Sequence, residues 1–477
     1  MHFSSSLLSI SAIVTSLAPI SSAETVLGAY IFSRHGDRTS KSTPPTILTE
    51  LGYRQVYLTG SYYHDRYISS SASSQILNIS PDLISPGQVT ASAPHDEVLQ
   101  KSATAFFQGL YPPAGNRATM TLRNGTVIEG PMDGYQLIAI EQVKSGTNSE
   151  NVGWLQGASN CHNAKVSSNK YFSSDHYNEL FESTSDFYKS LAPMLNRTFA
   201  PEKISYRNAY MIFDLLNVAS IQNASDAFHS SALLTDSTYS RLQQLANTYE
   251  FNLAYSPSEP IRAISGALLA GEVLNSFKET IQSHTTKPKL NVQFGAYASF
   301  LSFFGLAKLP AANVDFTGIP DYASTMAFEL VTNASASDSF PGVEDISVRF
   351  LFHNGTIIPG SSDTEPTIYP LFDQGKPLLP WVEFVSHMEK ISITSQDAWC
   401  KACGGSNPEC SASSIEGNSS TVAGTNSDGM SKVVAGVVGA LVTLAVVFGV
   451  QLAAYFLGGF RITRKLAGGP EAEKVSV

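Results

Sequence analysis

Residues Val26 to Phe32 form a nearly continuous apolar run, and this run constrains the fold more than any other feature of the chain. A strand with one wet face alternates apolar and polar residues. One that does not alternate is buried on both faces, as a strand inside a parallel α/β sheet is. Two further strand-then-helix units agree with this. Gln88 to Ala93 alternates through Val89, Ala91 and Ala93 before Pro94, and Leu290 to Tyr297 alternates through Leu290, Val292 and Phe294 before Phe300, Leu301, Phe303 and Phe304. Short apolar strands between helices predict an α/β three-layer sandwich with a mostly parallel sheet, whose ligands sit at the carboxyl ends of the strands. Pro260 opens a helix with Ile261, Ile264, Leu268, Val273, Phe277 and Ile281 as its stripe, and Pro380 opens another with Trp381, Phe384, Val385, Met388 and Ile391. From about Met132 to Tyr255 helical patterns dominate, which predicts an inserted α-helical subdomain. Val348, Phe350 and Phe352 lead into Asn354-Gly355, a pair that predicts a hairpin turn.

The ends of the chain carry a different message. Leu7 to Leu17 is mostly apolar, and Ser21 and Ala23 supply the small residues of a cleavage site, so residues 1–23 read as a signal peptide. Residues 433–460 hold no charge and are long enough to cross about 30 Å of hydrocarbon, which takes roughly 20 apolar residues. Arg461, Arg464 and Lys465 follow and place 461–477 in the cytoplasm as a short tail. Residues 411–432, rich in Ser, Gly and Asn, read as a flexible stalk. The whole predicts a single-pass type I membrane protein of the secretory pathway or cell surface, held to its membrane by one C-terminal transmembrane helix, with residues 24–410 as a lumenal or extracellular ectodomain.

Seven sequons, at Asn78, Asn124, Asn196, Asn223, Asn333, Asn354 and Asn418, lie on one side of that span and predict N-linked glycans. The four cysteines, Cys161, Cys400, Cys403 and Cys410, allow three disulfide pairings; a zinc cluster is the alternative, disfavoured in an oxidising compartment. A net charge of −10 argues against nucleic acid as a partner.

Chemistry concentrates where the first strand ends, at Arg34-His35-Gly36-Asp37-Arg38. Guanidinium groups bind phosphate through planar bidentate hydrogen bonds. Gly36 lets the backbone approach an anion. A neutral imidazole attacks phosphorus and carries the phosphoryl group covalently, splitting hydrolysis into two steps. The remaining histidines show no metal-ligand spacing, and the pattern asks for neither a metal nor a cofactor.

With these residues the chain resembles the histidine acid phosphatases and phytases, which carry Arg-His-Gly-x-Arg near the mature N-terminus. Leu48 to Gln55, Ser102 to Leu110 and Trp399 to Cys403 extend the resemblance over about residues 24–405. It implies a membrane-anchored phosphomonoesterase with His35 as nucleophile and Arg34 and Arg38 as phosphate ligands, acting on a small phosphate ester or a phosphoprotein. The chain also departs from the family. Ser92 stands where a third phosphate-binding arginine is expected, and Ala296-Tyr297 stands where a His-Asp pair supplies the general acid. Two substitutes are available in the sequence: His95 as a phosphate ligand with Asp96 as acid, or Tyr297 as acid in its own position. The other outcome is a pseudophosphatase, an anion-binding or cell-surface module that kept the fold and lost turnover. The phosphate reading requires His35 at the sheet edge, with both guanidiniums on the same side of it.

Overall fold

Strand β1 (Thr25–Arg34) is buried along all but its first residue, and the rest of the sheet is assembled around it. In this computed structural model the described residues are 24–143, 160–222, 233–284, 288–336, 339–405 and 410. The segments read from the sequence as signal peptide, stalk, transmembrane helix and tail lie outside them. Among the described residues no helix is long and apolar enough to cross a membrane.

On one side of β1 the sheet is parallel. There β1 pairs with β6 (Leu290–Gly295), β6 with β2 (Val89–Pro94), and β2 with β5 (Glu141–Val143). On the other side it is antiparallel, through β7 (Thr325–Thr332), β8 (Ile346–His353) and β10 (Leu378–Pro380), with β9 (Thr367–Tyr369) also on β8. The expected mostly parallel sheet is thus a mixed one. Its antiparallel half follows from connectivity: β7 and β8 are joined with no crossover helix, and parallel neighbours require one. The register sets Arg34 opposite Gly295, so the ends of β1 and β6 open side by side.

Alternation along β1 explains the apolar run. Ala29 and Ile31 pack with Val56, Leu99, Phe106 and Phe294, beneath helices α1 (Glu50–Tyr63) and α2 (Glu97–Leu110). Tyr30 and Phe32 face the opposite layer and pack with Val273, Phe277, Phe300 and Phe384. That layer also receives the helical insertion, which includes α3 (His162–Asn169), α4 (Asp175–Ser183), α5 (Ala209–Gln222) and α6 (Asp236–Ala254). Behind β1 and β6 come α7 (Ile264–Ser283), α8 (Tyr297–Leu306) and α9 (Trp381–Ile391). Both proline-led helices form where the sequence places them, the first preceded by a 3₁₀ turn at Pro260–Ala263.

Two expectations change. The insertion is helical from His162, not from Met132: Met132 and Asp133 have positive φ, and β5 joins the sheet edge. Ahead of it, β3 (Thr119–Thr121) and β4 (Val127–Glu129) form a small hairpin around Asn124-Gly125 that the sequence reading did not mark. Asn354-Gly355 does turn the chain, with φ +98° at Gly355, but the next strand on β8 begins only at Thr367. The turn opens a wide loop, not a tight hairpin.

The cysteines form two disulfides, Cys161–Cys403 and Cys400–Cys410, which removes the zinc alternative. The first ties α10 (Gln396–Cys403) to the start of α3. A second internal tie is ionic. Glu329 on β7 is fully buried; its carboxylate meets Arg66 at 2.7 Å and Arg349 at 2.5 Å, and accepts from Tyr67 Oη at 2.7 Å. Removing the anion leaves Arg66 without its carboxylate and Arg349 with Glu24 alone, 2.8 Å away. Glu329→Ala is expected to lose about 3 kcal/mol of stability, read by chemical denaturation, and a loss below roughly 1 kcal/mol would show that water already serves both arginines.

Candidate functional site

The loop that follows β1 is held by close backbone contact. A Cβ on Gly36 would lie 2.1 Å from the Gly52 carbonyl oxygen, and one on Gly52 would lie 2.0 Å from that of Asp37. Only glycine at both positions lets the loop lie on the first turn of α1. Thr49, the N-cap of α1, accepts from Gly52 N and donates to Asp37 Oδ2 at 2.6 Å. Asp37 N donates to Gln55 Oε1 at 2.8 Å, and Gln222 at the end of α5 donates to Asp37 Oδ2 at 3.0 Å. Burial pushes the Asp37 carboxyl above its ordinary range, against the lowering effect of these donors.

His35 sits in this loop with its ring fully buried. Its Nδ1 lies 2.8 Å from the Gly36 carbonyl oxygen. A carbonyl only accepts, so Nδ1 carries the proton and Nε2 holds the lone pair of the neutral ring. The imidazole lies 5.6 Å from the ring of Tyr322.

Arg34 and Arg38 converge as the phosphate reading requires, their guanidinium carbons 4.6 Å and 5.9 Å from the Tyr322 ring centre. Arg34 donates through Nη1 to the Pro320 carbonyl and also lies 5.4 Å from the ring of Tyr297. Arg38 has a partner the sequence reading did not foresee. Its Nη2 is 2.9 Å from Asp214 Oδ1 on α5, with both side chains about 2% exposed. Asp214 Oδ2 accepts from Ser40 Oγ and Lys41 N, each at 2.8 Å, and Tyr210 Oη accepts from Arg38 at 3.2 Å. The Arg38 guanidinium is therefore engaged by a carboxylate of the chain itself through Nη2, while Nη1 donates to the Thr39 carbonyl at 2.9 Å.

The other named residues are placed elsewhere. Asp96 is the N-cap of α2 and accepts from Val98 N at 3.0 Å and Leu99 N at 3.1 Å. His95 is exposed and its Nδ1 faces Gln142 Oε1 at 3.1 Å. Tyr297 opens α8, packs tilted against Tyr210 with ring centres 4.9 Å apart, and donates to Glu250 Oε2 at 3.0 Å. Ser92 lines a separate cavity of about 510 Å³, whose wall includes Glu141, Glu272 and Glu279. Among the described residues no cluster of His, Cys, Asp and Glu has the makings of a metal site.

A cleft of about 340 Å³ opens at the strand ends, walled by Arg34, Tyr210, Asp214, Asp321, Tyr322 and Thr356 among others. Arg34 reaches it; His35 and Arg38 are not part of its wall. Burial raises the Asp321 carboxyl above its ordinary range, with Arg34 acting in the opposite direction. Of these residues Asp214 had a signal in the sequence: it is the one charge in the otherwise apolar and polar-neutral helix Ala209–Gln222. A buried charge in such a helix needs a partner. Tyr322 and Asp321 lie in a loop with no motif to mark them.

A family profile described as the histidine phosphatase superfamily, branch 2, matches residues 42–353. The match begins just past the Arg34–Arg38 loop, so it rests on the scaffold and not on the motif. No curated protein matches the chain by sequence. Among solved structures, the phytase of Klebsiella sp. ASR1 aligns with a TM-score of 0.53 and 10% identity, covering 78% of this chain and 95% of that one. The Citrobacter braakii phytase gives 0.51 and 14%, over 80% and 99% of the two chains, and the apo form of Hafnia alvei phytase gives 0.50 and 13%, over 81% and 99%. At these identities the likeness is one of fold.

Two outcomes are expected. Asp214→Ala strands the buried Arg38 and costs about 3–5 kcal/mol, whereas Arg38→Met with Asp214→Leu recovers most of that loss in denaturant titrations. Inorganic phosphate at millimolar concentration stabilises Asp214→Ala and leaves the parent unmoved. The second concerns the other cavity, where burial, then Glu141 and Glu279, push Glu272 up to about 7 from 4.5. A raised acid holds its proton more tightly in the folded chain. Its stabilising contribution is complete below about pH 4.5 and is lost as pH rises through about 7. Glu272→Gln flattens that decline in midpoints measured from pH 4 to 8; an unchanged slope would clear Glu272 of the effect.

Proposed function

Because the chain belongs to branch 2 of the histidine phosphatase superfamily, we propose that it is a silenced member: a pseudophosphatase ectodomain that keeps the fold and the strand-end arginines but does not turn over phosphate esters. The observation that carries this reading is the Asp214 carboxylate seated on Arg38. Displacing a buried ion-pair partner costs about 3–5 kcal/mol, while each charge-assisted hydrogen bond to an incoming phosphate returns roughly 1.5–3 kcal/mol. The phosphate must also reach an imidazole that is fully buried beside Tyr322. Beyond that point, neither of the two acids expected from the sequence stands ready. A positioned general acid is worth about 10²–10⁴ in rate. Asp96 is engaged as a helix cap, and Tyr297 directs its proton at Glu250.

One observation favours the second reading, a phosphomonoesterase working through phosphohistidine. The Nδ1 contact with Gly36 holds His35 in the tautomer whose Nε2 is nucleophilic. The neighbouring folds are phytases, so under this reading a phosphorylated polyol or another small phosphate ester is the substrate class.

For its setting we keep the type I arrangement in the secretory pathway or at the cell surface, with a single membrane helix and N-linked glycans. Two disulfides suit an oxidising compartment. The sequon residues Asn78, Asn124, Asn196, Asn333 and Asn354 are all exposed, which suits glycosylation.

The full chain, expressed in a glycosylating host, is assayed with a chromogenic phosphate ester from pH 3 to 8 beside its His35→Ala variant. The rates are expected to coincide. A wild-type rate that disappears with His35 would sink the silenced reading and establish the second.

A further inference from the structure

We propose that the cleft beside Arg34 binds a neutral polyhydroxylated ligand, a saccharide or polyol that carries no phosphate. The inference deepens the reading of a silenced site and rests on it. At about 340 Å³ the cleft lies at the small end of ligand pockets, which run from roughly 300 to 1,000 Å³. Its charge balance is wrong for a polyanion. Arg34 is the only cation in its described wall, set against the carboxylates of Asp214 and Asp321. Asp214 is already paired with Arg38, so the carboxylate that a further phosphate on the ligand would meet in this wall is that of Asp321.

The wall offers donors and acceptors between aromatic faces. Arg34 Nε is buried and has no hydrogen-bond partner among the described residues. Arg34 itself forms part of the cleft wall, and a ligand hydroxyl or ring oxygen can accept from its guanidinium without importing charge. Asn217 accepts from Tyr239 Oη through Oδ1 at 2.7 Å, which leaves Nδ2 to donate. Gln55 accepts from Asp37 N through Oε1 and keeps Nε2 in the same way. Asp321 supplies the acceptor, steadied by Asn354, whose Oδ1 accepts from Asp321 N at 2.7 Å. Gln243 adds an amide able to do both. A sugar hydroxyl donates and accepts at once, and this is the set that answers it; phosphate oxygens only accept and would leave Asp321 facing a like charge. The rings of Tyr210, Tyr239 and Tyr322 in the same wall supply apolar faces for the C–H faces of a sugar.

The test titrates the full-length glycoprotein by calorimetry. Its probes are a panel of neutral oligosaccharides of glucose, mannose, galactose and N-acetylglucosamine, with inositol hexakisphosphate as the polyanion. At least one neutral saccharide is expected to bind at millimolar affinity or better, with no heat from the polyanion at about 1 mM. Gln243→Ala and Asn217→Ala each weaken that saccharide by about fivefold, the size of one lost neutral hydrogen bond. Gln243 is half-buried, so its removal leaves the fold in place. Failure of every saccharide, tighter binding of the polyanion, or an affinity indifferent to both amides overturns the proposal. Hydrolysis dependent on His35 would instead remove the silenced reading beneath it, a separate result in a separate assay.

Discussion

The buried pair between Arg38 and Asp214 is the interaction on which the strand-end architecture depends. It joins the loop after the first strand to a helix of the insertion nearly 180 residues later, and the same carboxylate also fixes Ser40 and Lys41. A buried charge pair earns little net stability against an apolar alternative, but it is unforgiving of a missing partner. Its value here is geometric. It locks the insertion against the loop in one position, and in doing so it takes an arginine out of anion binding.

That single engagement has consequences around the site. With Arg38 neutralised, Arg34 is the cation left at the cleft, and it is held between Tyr297 and Tyr322. Tyr297 fills the position of a general acid, but its hydroxyl is turned to Glu250 and its ring to Tyr210. The cavity that Ser92 lines is acidic, and burial, with its carboxylate neighbours, raises Glu272 toward neutral pH. Arg38, Asp96 and Tyr297 are thus each engaged by a partner inside the fold, and Ser92 lies in a cavity walled by carboxylates.

What could be read from the sequence was what local periodicity controls. The uninterrupted run at Val26–Phe32 marked a strand covered on both faces, and Pro260 and Pro380 marked two helix starts, because both signals act within a few residues. The antiparallel half of the sheet was missed because β7 and β8 reveal their direction only through the absence of a crossover. The motif was readable as a strand-end loop, but its partners were not: Asp214, Tyr322 and Asp321 come from distant segments, brought in by tertiary packing. The lone Asp214 in an apolar helix was the one local hint, and it announced a need for a partner without naming one.

The five-residue motif was the strongest argument for catalysis, and the structure gives each of its members a reason to be there that involves no substrate. Arg34 is stacked between two tyrosines and bonded to the Pro320 carbonyl. His35 is bonded to the next residue's carbonyl and packed beside Tyr322. Gly36 is required by contact with Gly52, Asp37 anchors α1 and α5, and Arg38 completes the pair with Asp214. These contacts show what folding asks of the five residues, yet Arg34 Nε and Asp37 Oδ1 stay buried with no hydrogen-bond partner among the described residues, so folding does not account for every polar atom of the loop. The motif alone therefore does not decide for catalysis; a rate that depends on His35 would.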